Sequence, residues 1–127
     1  MNTSKILYID DNPTNLEFIR RLLQRKGYDC QTLSNSVERL SVAKTFQPDL
    51  ILLDIQIPEL NGFEVLKQLR QDPIIEDVPV LALTANAMSG DKRLCMEAGF
   101  DDYLTKPIFR EELFRKVTQH LKQATTT

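Results

Sequence analysis

Short continuous apolar runs alternate with amphipathic stretches along the whole chain. The runs are KILYI (5–9), LILL (50–53) and PVLALT (79–84). Each is bounded by polar or turn residues, as expected of strands buried on both faces. YDCQTL (28–33) and DDYLT (101–105) are weaker strand candidates, with Cys30, Thr32 and Leu33 giving the first its β character. Between the runs, apolar residues recur at helical spacing. Leu16, Ile19, Leu22 and Leu23 form a stripe over 13–26, and Val37, Leu40 and Ala43 over 36–46. Val65, Leu66 and Leu69 do so over 62–71, and Leu113, Phe114, Val117 and Leu121 over 110–122. A further helix is expected over 88–98. Gly27 and Gly99 read as C-terminal stops, and Pro48 ends the second helix. The order is strand–helix five times over, which predicts an α/β fold with a parallel sheet and helices on both of its faces. No repeat or linker divides the chain, and only the tail QATTT (123–127) is expected to fray.

The strand ends carry the chemistry. KILYI leads into Asp10 and Asp11, LILL into Asp54, and PVLAL into Thr84. In open α/β sheets, ligands bind beyond the carboxyl ends of the strands, so these four residues are expected in one cleft. Three carboxylates there repel: at ~4 Å and an effective dielectric of ~20 each pair costs roughly 4 kcal/mol. Either a pKa rises or a cation is present. Oxygen donors without His or Cys favour Mg²⁺, Mn²⁺ or Ca²⁺ over zinc, and Mg²⁺ brings phosphate groups with it. Lys106, after the fifth candidate strand, reaches the same cleft if that strand lies beside the fourth. An acidic pair, an isolated aspartate, a hydroxyl and a lysine suit phosphoryl transfer to a carboxylate nucleophile.

Composition narrows the context. The 127 residues suit one domain, and 42% hydrophobic with 27% charged residues is ordinary for a globular chain. A net charge of −2 offers no basic surplus for nucleic acid. The chain has no basic amphipathic helix for a membrane surface, no signal core in MNTSKILYID and no segment of transmembrane length. A cytoplasmic protein is expected, with Cys30 and Cys95 free and packed as small hydrophobes.

Four motifs in order, ILYIDDN, PDLILLDIQIPELNGFEVL, VPVLALTANA and GFDDYLTKPI, resemble the response-regulator receiver domain of two-component signalling. The likeness spans about residues 4–122 and is nearest to receivers of hybrid sensor kinases and stand-alone regulators. It implies a single receiver domain over 1–127, flavodoxin-like and doubly wound, with five parallel strands in the order 2-1-3-4-5. It implies Asp54 as phospho-acceptor, and Mg²⁺ (or Mn²⁺ as a substitute) on Asp11, Asp54 and the backbone carbonyl of Gln56. Asp10 would act mostly through metal-bound water, and Thr84 and Lys106 would contact the phosphoryl oxygens. It further implies a cis Lys106–Pro107 bond, Tyr103 as aromatic switch, and Gln56 with Asn86 as residues tuning the phosphoryl lifetime. The expected partners are a histidine kinase or histidine phosphotransfer domain and a downstream protein, met through the face of the fourth helix, fifth strand and last helix. Neither nucleic acid nor membrane is an expected partner, and a monomer or weak dimer is expected. The resemblance implies a switch that catalyses only its own phosphorylation and slow dephosphorylation. Met1 favours a natural stand-alone protein; with no effector segment after residue 122, output is expected from a surface, unless the chain is a piece of a longer one. Phe109 departs from the family pattern of Asp or Ser, which removes an N-cap side chain from the last helix at about 1 kcal/mol.

Plainer readings compete. Asp10 and Asp11 before NPTN are good capping chemistry, and Thr84 suits any strand. Tyr103 alone reads as core or rim, Pro58 and Gly62 as a turn, REE (110–112) as a solvated first turn and His120 as a solvated residue. Among functions, a flavin binder would need a Ser, Thr and Gly-rich loop where this chain has DDNPTN, which repels a bare phosphate. An aspartyl-phosphate hydrolase would need a second acid two residues after Asp10. A pseudo-receiver that only binds partners would not need an intact acidic site.

Overall fold

A computed structural model of the chain describes residues 3–34, 38–57, 60–85 and 91–125. Five strands form one parallel sheet: β1 (Lys5–Ile9), β2 (Asp29–Leu33), β3 (Leu50–Asp54), β4 (Val80–Thr84) and β5 (Asp102–Thr105). Their order is β2-β1-β3-β4-β5, the doubly wound arrangement expected from the alternation. The helices are α1 (Pro13–Arg25), α2 (Arg39–Phe46), α3 (Gly62–Arg70), α4 (Asp91–Ala98) and α5 (Arg110–Thr125). The expected starts of the second and fourth helices, at 36–37 and 88–90 with Val37 among them, lie outside the described residues, as do Pro58, Asn86, Thr126 and Thr127.

Strict alternation along the buried strands builds two cores. Leu7, Ile9, Ile51, Leu53, Val80 and Ala82 point to the face covered by α2, α3 and α4. Ile6, Tyr8, Leu50, Leu52, Leu81, Leu83 and Leu104 point to the face covered by α1 and α5. Between Lys5 at the start of β1 and the polar ends Asp54 and Thr84 of β3 and β4, these three strands are buried at every position because both sides are covered. Cys30 and Cys95 are buried thiols outside any disulfide; burial pushes the Cys30 thiol up to about 12, so it packs as an inert hydrophobe.

The structure departs from expectation in three places. A short antiparallel hairpin, Gln56–Ile57 paired with Leu60–Asn61, follows β3 where only a turn was expected. The last helix runs on to Thr125, past 122 and into the segment expected to fray. His120 is buried, not solvated, with Nε2 2.9 Å from Asp102 Oδ2. Its position beside the apolar stripe of α5 brings it over the start of β5, where the Asp102 carboxylate supplies a polar partner.

Candidate functional site

The acids after β1 are released from helix capping. Asn12 is the N-cap of α1, its side chain accepting from the Thr14 and Asn15 N–H groups at 2.9 and 3.2 Å, with Pro13 at the first helical position. Asp10 and Asp11 are thereby left at the carboxyl end of the sheet. Asp10 is fully buried and Asp54 nearly so, at 0% and 2% exposure, while Asp11 is exposed. One oxygen from each lies within 4.8 Å of the other two. Three hard oxygen donors this close fit a divalent cation of the Mg²⁺ or Mn²⁺ kind.

Lys106, one residue beyond β5, reaches across to the acids. Its Nζ lies 2.7 Å from Asp54 Oδ2 and 3.6 Å from Asp10 Oδ2. Its backbone N–H donates to the Thr84 carbonyl at 2.8 Å, and the peptide bond to Pro107 is cis. Thr84 is fully buried at the end of β4, next along from Leu83, which pairs in register with Asp54. Asp10, Asp11, Asp54, Thr84 and Lys106 therefore meet at one end of the sheet, as the strand ends predicted.

Tyr103 lies on β5 opposite Ala82, two positions before Thr105, which faces Thr84. It is half-buried against the α2–α3–α4 core. The Gln56 backbone belongs to the hairpin, while its side chain and the whole of Asn86 lie outside the described residues.

Two features escaped the sequence reading. The Tyr8 hydroxyl donates to Asp10 Oδ2 at 2.5 Å, and the Asn12 N–H donates to Oδ1 at 3.1 Å. A tyrosine in an otherwise aliphatic run, one pleat before Asp10, was the available signal. Burial pushes the Asp10 carboxyl up, but the bonds from the Tyr8 hydroxyl and the Asn12 N–H, with the charge of Lys106, help outweigh it, and the group sits below the usual range. Burial, then the Asp10 bond and charge, push the Tyr8 phenol well above its ordinary value, so it stays a donor.

The second feature is a cluster on α5. Lys116 Nζ lies 3.1 Å from Asp102 Oδ1, donates to the Tyr103 carbonyl, and sits 4.2 Å from the centre of the Tyr103 ring. Burial raises the Asp102 carboxyl, but His120, the Tyr103 N–H and Lys116 more than offset it, and the net shift is downward.

Residues 6–118 match the response regulator receiver domain family. The chain belongs to that family. Receiver domains are signalling switches of two-component systems. The polar-differentiation response regulator DivK of Brucella anthropi is 36% identical over 119 residues, 94% of this chain and 97% of its own. The receiver domain of a sensor histidine kinase from Pseudomonas aeruginosa PAO1, solved with a magnesium ion coordinated in its active site cleft, is 34% identical. It superposes with a TM-score of 0.86 over 95% of this chain and 99% of that one. The Vibrio cholerae chemotaxis response regulator CheY4 superposes equally well, at 0.86 and 27% identity, over 94% of this chain and 99% of its own.

Proposed function

We propose that this receiver domain is a phospho-accepting switch, with Asp54 taking a phosphoryl group from a phospho-histidine. The observation that supports this best is the pairing of buried Asp54 with Lys106 at 2.7 Å inside the three-carboxylate cluster. The reading takes the chain as a single receiver domain over 1–127, cytoplasmic, and a monomer or weak dimer. Among the described residues no helix is long and apolar enough to cross a membrane.

An Asp54 oxygen forms the O–P bond as the P–N bond of the donor breaks, and the histidine nitrogen keeps the electron pair and takes a proton. Asp11, Asp54 and the Gln56 carbonyl would hold Mg²⁺, with Asp10 acting through bound water; Mn²⁺ has the donor preferences to substitute. When bound, the cation neutralises the acids and the incoming phosphoryl oxygens. Lys106 leaves its carboxylate for a phosphoryl oxygen, and the Thr84 hydroxyl donates to another. Gln56 and Asn86 tune hydrolysis by controlling access of water. Phosphoryl arrival reshapes the face of α4, β5 and α5, where Leu94, Met96 and Phe109 are exposed, and a downstream protein reads it. The donor is a histidine kinase or histidine phosphotransfer domain, and neither nucleic acid nor membrane is a partner.

Incubation with Mg²⁺ and acetyl phosphate tests the acceptor. Intact mass should rise by ~80 Da, one phosphoryl group, in the wild type, and Asp54→Asn should abolish the gain. A mutant that gains the mass at the wild-type rate would assign the wrong residue.

A further inference from the structure

Tyr8 is fully buried on β1, packed among α1 and α5 side chains, and its hydroxyl points along the strand to Asp10. Asp10 Oδ2 faces two donors, Tyr8 Oη at 2.5 Å and Lys106 Nζ at 3.6 Å. The phenol holds the shorter bond, and Lys106 stays 2.7 Å from Asp54 Oδ2. The Asn12 N–H at 3.1 Å fixes the other oxygen of Asp10, so the carboxylate is held at both ends. A neutral donor does what Lys106 cannot: it orients Asp10 without cancelling its charge.

We propose that Tyr8 is a positioning residue for the cation site, orienting Asp10 and keeping Lys106 on Asp54. The proposal rests on the reading of Asp10, Asp11 and Asp54 as that site. Without the hydroxyl, Lys106 turns toward Asp10 Oδ2 and the carboxylate rotates. A cation then meets a neutralised Asp10 in the wrong orientation. Loss of such an outer partner weakens metal binding by about tenfold or more. A tyrosine that merely filled the core would change stability when altered and leave Mg²⁺ affinity alone.

Calorimetric Mg²⁺ titration of wild type and Tyr8→Phe, which keeps the ring, is the first test. Wild-type binding with about tenfold weaker binding in Tyr8→Phe is expected. Equal dissociation constants would overturn the proposal while leaving the cation site intact. If the wild type binds no Mg²⁺, the proposed function falls and this inference with it. A second measurement needs no change at Tyr8. The chain has three tyrosines and no tryptophan. The double variant Tyr28→Phe/Tyr103→Phe therefore makes Tyr8 the sole long-wavelength chromophore. Saturating Mg²⁺ should draw charge from Asp10, weaken its bond to the phenol and move the tyrosine absorption band to shorter wavelength. A flat difference spectrum in a variant that binds Mg²⁺ would show that Tyr8 does not sense the site.

Discussion

At the scale of single residues, buried carboxylates do different work according to their partners. Asp10 and Asp54 lie among acids with one lysine between them, an arrangement that invites a cation. Asp102 lies between Lys116 and His120, and its charge is already answered. The Asp102 carboxyl titrates below its ordinary value in the folded chain, so its contribution is complete above the ordinary aspartate range and is lost as pH falls through it. Asp102→Asn should therefore lower stability at neutral pH by about 2 kcal/mol, since hydrogen bonds to a charged group are lost from a mostly buried side chain. The gap between the two proteins should narrow on acidification to about pH 3, below the ordinary aspartate range, where the unfolded chain takes up the proton that the folded carboxyl resists. Urea unfolding at the two pH values measures this, and a gap that widened in acid would reverse the assigned sign. His120 and Lys116 gave no hint of this partnership in the sequence. Helical spacing places both beside the apolar stripe of α5, but only the packing of that helix on β5 supplies Asp102.

Among elements, the connection after β3 holds Asp54 in place. A Cβ added at Gly62 would meet Ile55 Cα at 2.5 Å, so the start of α3 packs directly on the backbone next to Asp54. The Ile55 N–H in turn donates to the Leu83 carbonyl at 3.1 Å, so the backbone cannot yield without straining β4. Gly62→Ala should cost about 1–3 kcal/mol, the usual penalty of overpacking. An unchanged urea midpoint would mean that this backbone gives way freely. The three central strands were legible because continuous apolar runs leave few other readings, while β2 and β5, with mixed polar residues at the sheet's edges, gave weaker signals. The stops at Gly27 and Gly99 were legible too, and both adopt positive φ, 94° and 106°. Gln47 also sits left-handed, at φ 53°, closing α2 with a bond to the Ala43 carbonyl. Its side chain announces no such geometry, and only the following Pro48 marked the end. The hairpin of Gln56–Ile57 and Leu60–Asn61 has two-residue arms, too short to display a period. The acidic cleft was legible because sheet topology, which the alternation predicts, determines where strand ends meet.

For the whole molecule, the proposed function requires a route by which a phosphoryl group on Asp54 alters a surface away from the cleft. The strand pairings of β4 and β5 supply a route. Thr84 and Tyr103 point to the same side of the sheet, because Ala82 faces Tyr103 and Thr84 faces Thr105. In the proposed switch, a phosphoryl oxygen on Asp54 would draw the Thr84 hydroxyl inward, and the Tyr103 ring would follow into the space left. The ring is not idle at rest, since Lys116 lies 4.2 Å from its centre and is itself tied to Asp102. Inward rotation must break that cation–aromatic contact, worth about 1 kcal/mol for a partly desolvated pair. In this reading Thr84 and Lys116 bias one equilibrium, and in opposite directions. Thr84→Ala should leave Asp54 able to accept the phosphoryl group while weakening the conformational response. Lys116→Met should raise the inward population about fivefold before any phosphoryl group arrives. Amide NMR of both variants, with Mg²⁺ and with or without beryllofluoride as the phosphoryl mimic, separates these effects. Thr84→Ala should show reduced shifts at Tyr103 and across 91–110, and Lys116→Met should lie part-way along the wild-type path without the mimic. Wild-type spectra from both variants would mean that the signal leaves Asp54 by some route other than Tyr103.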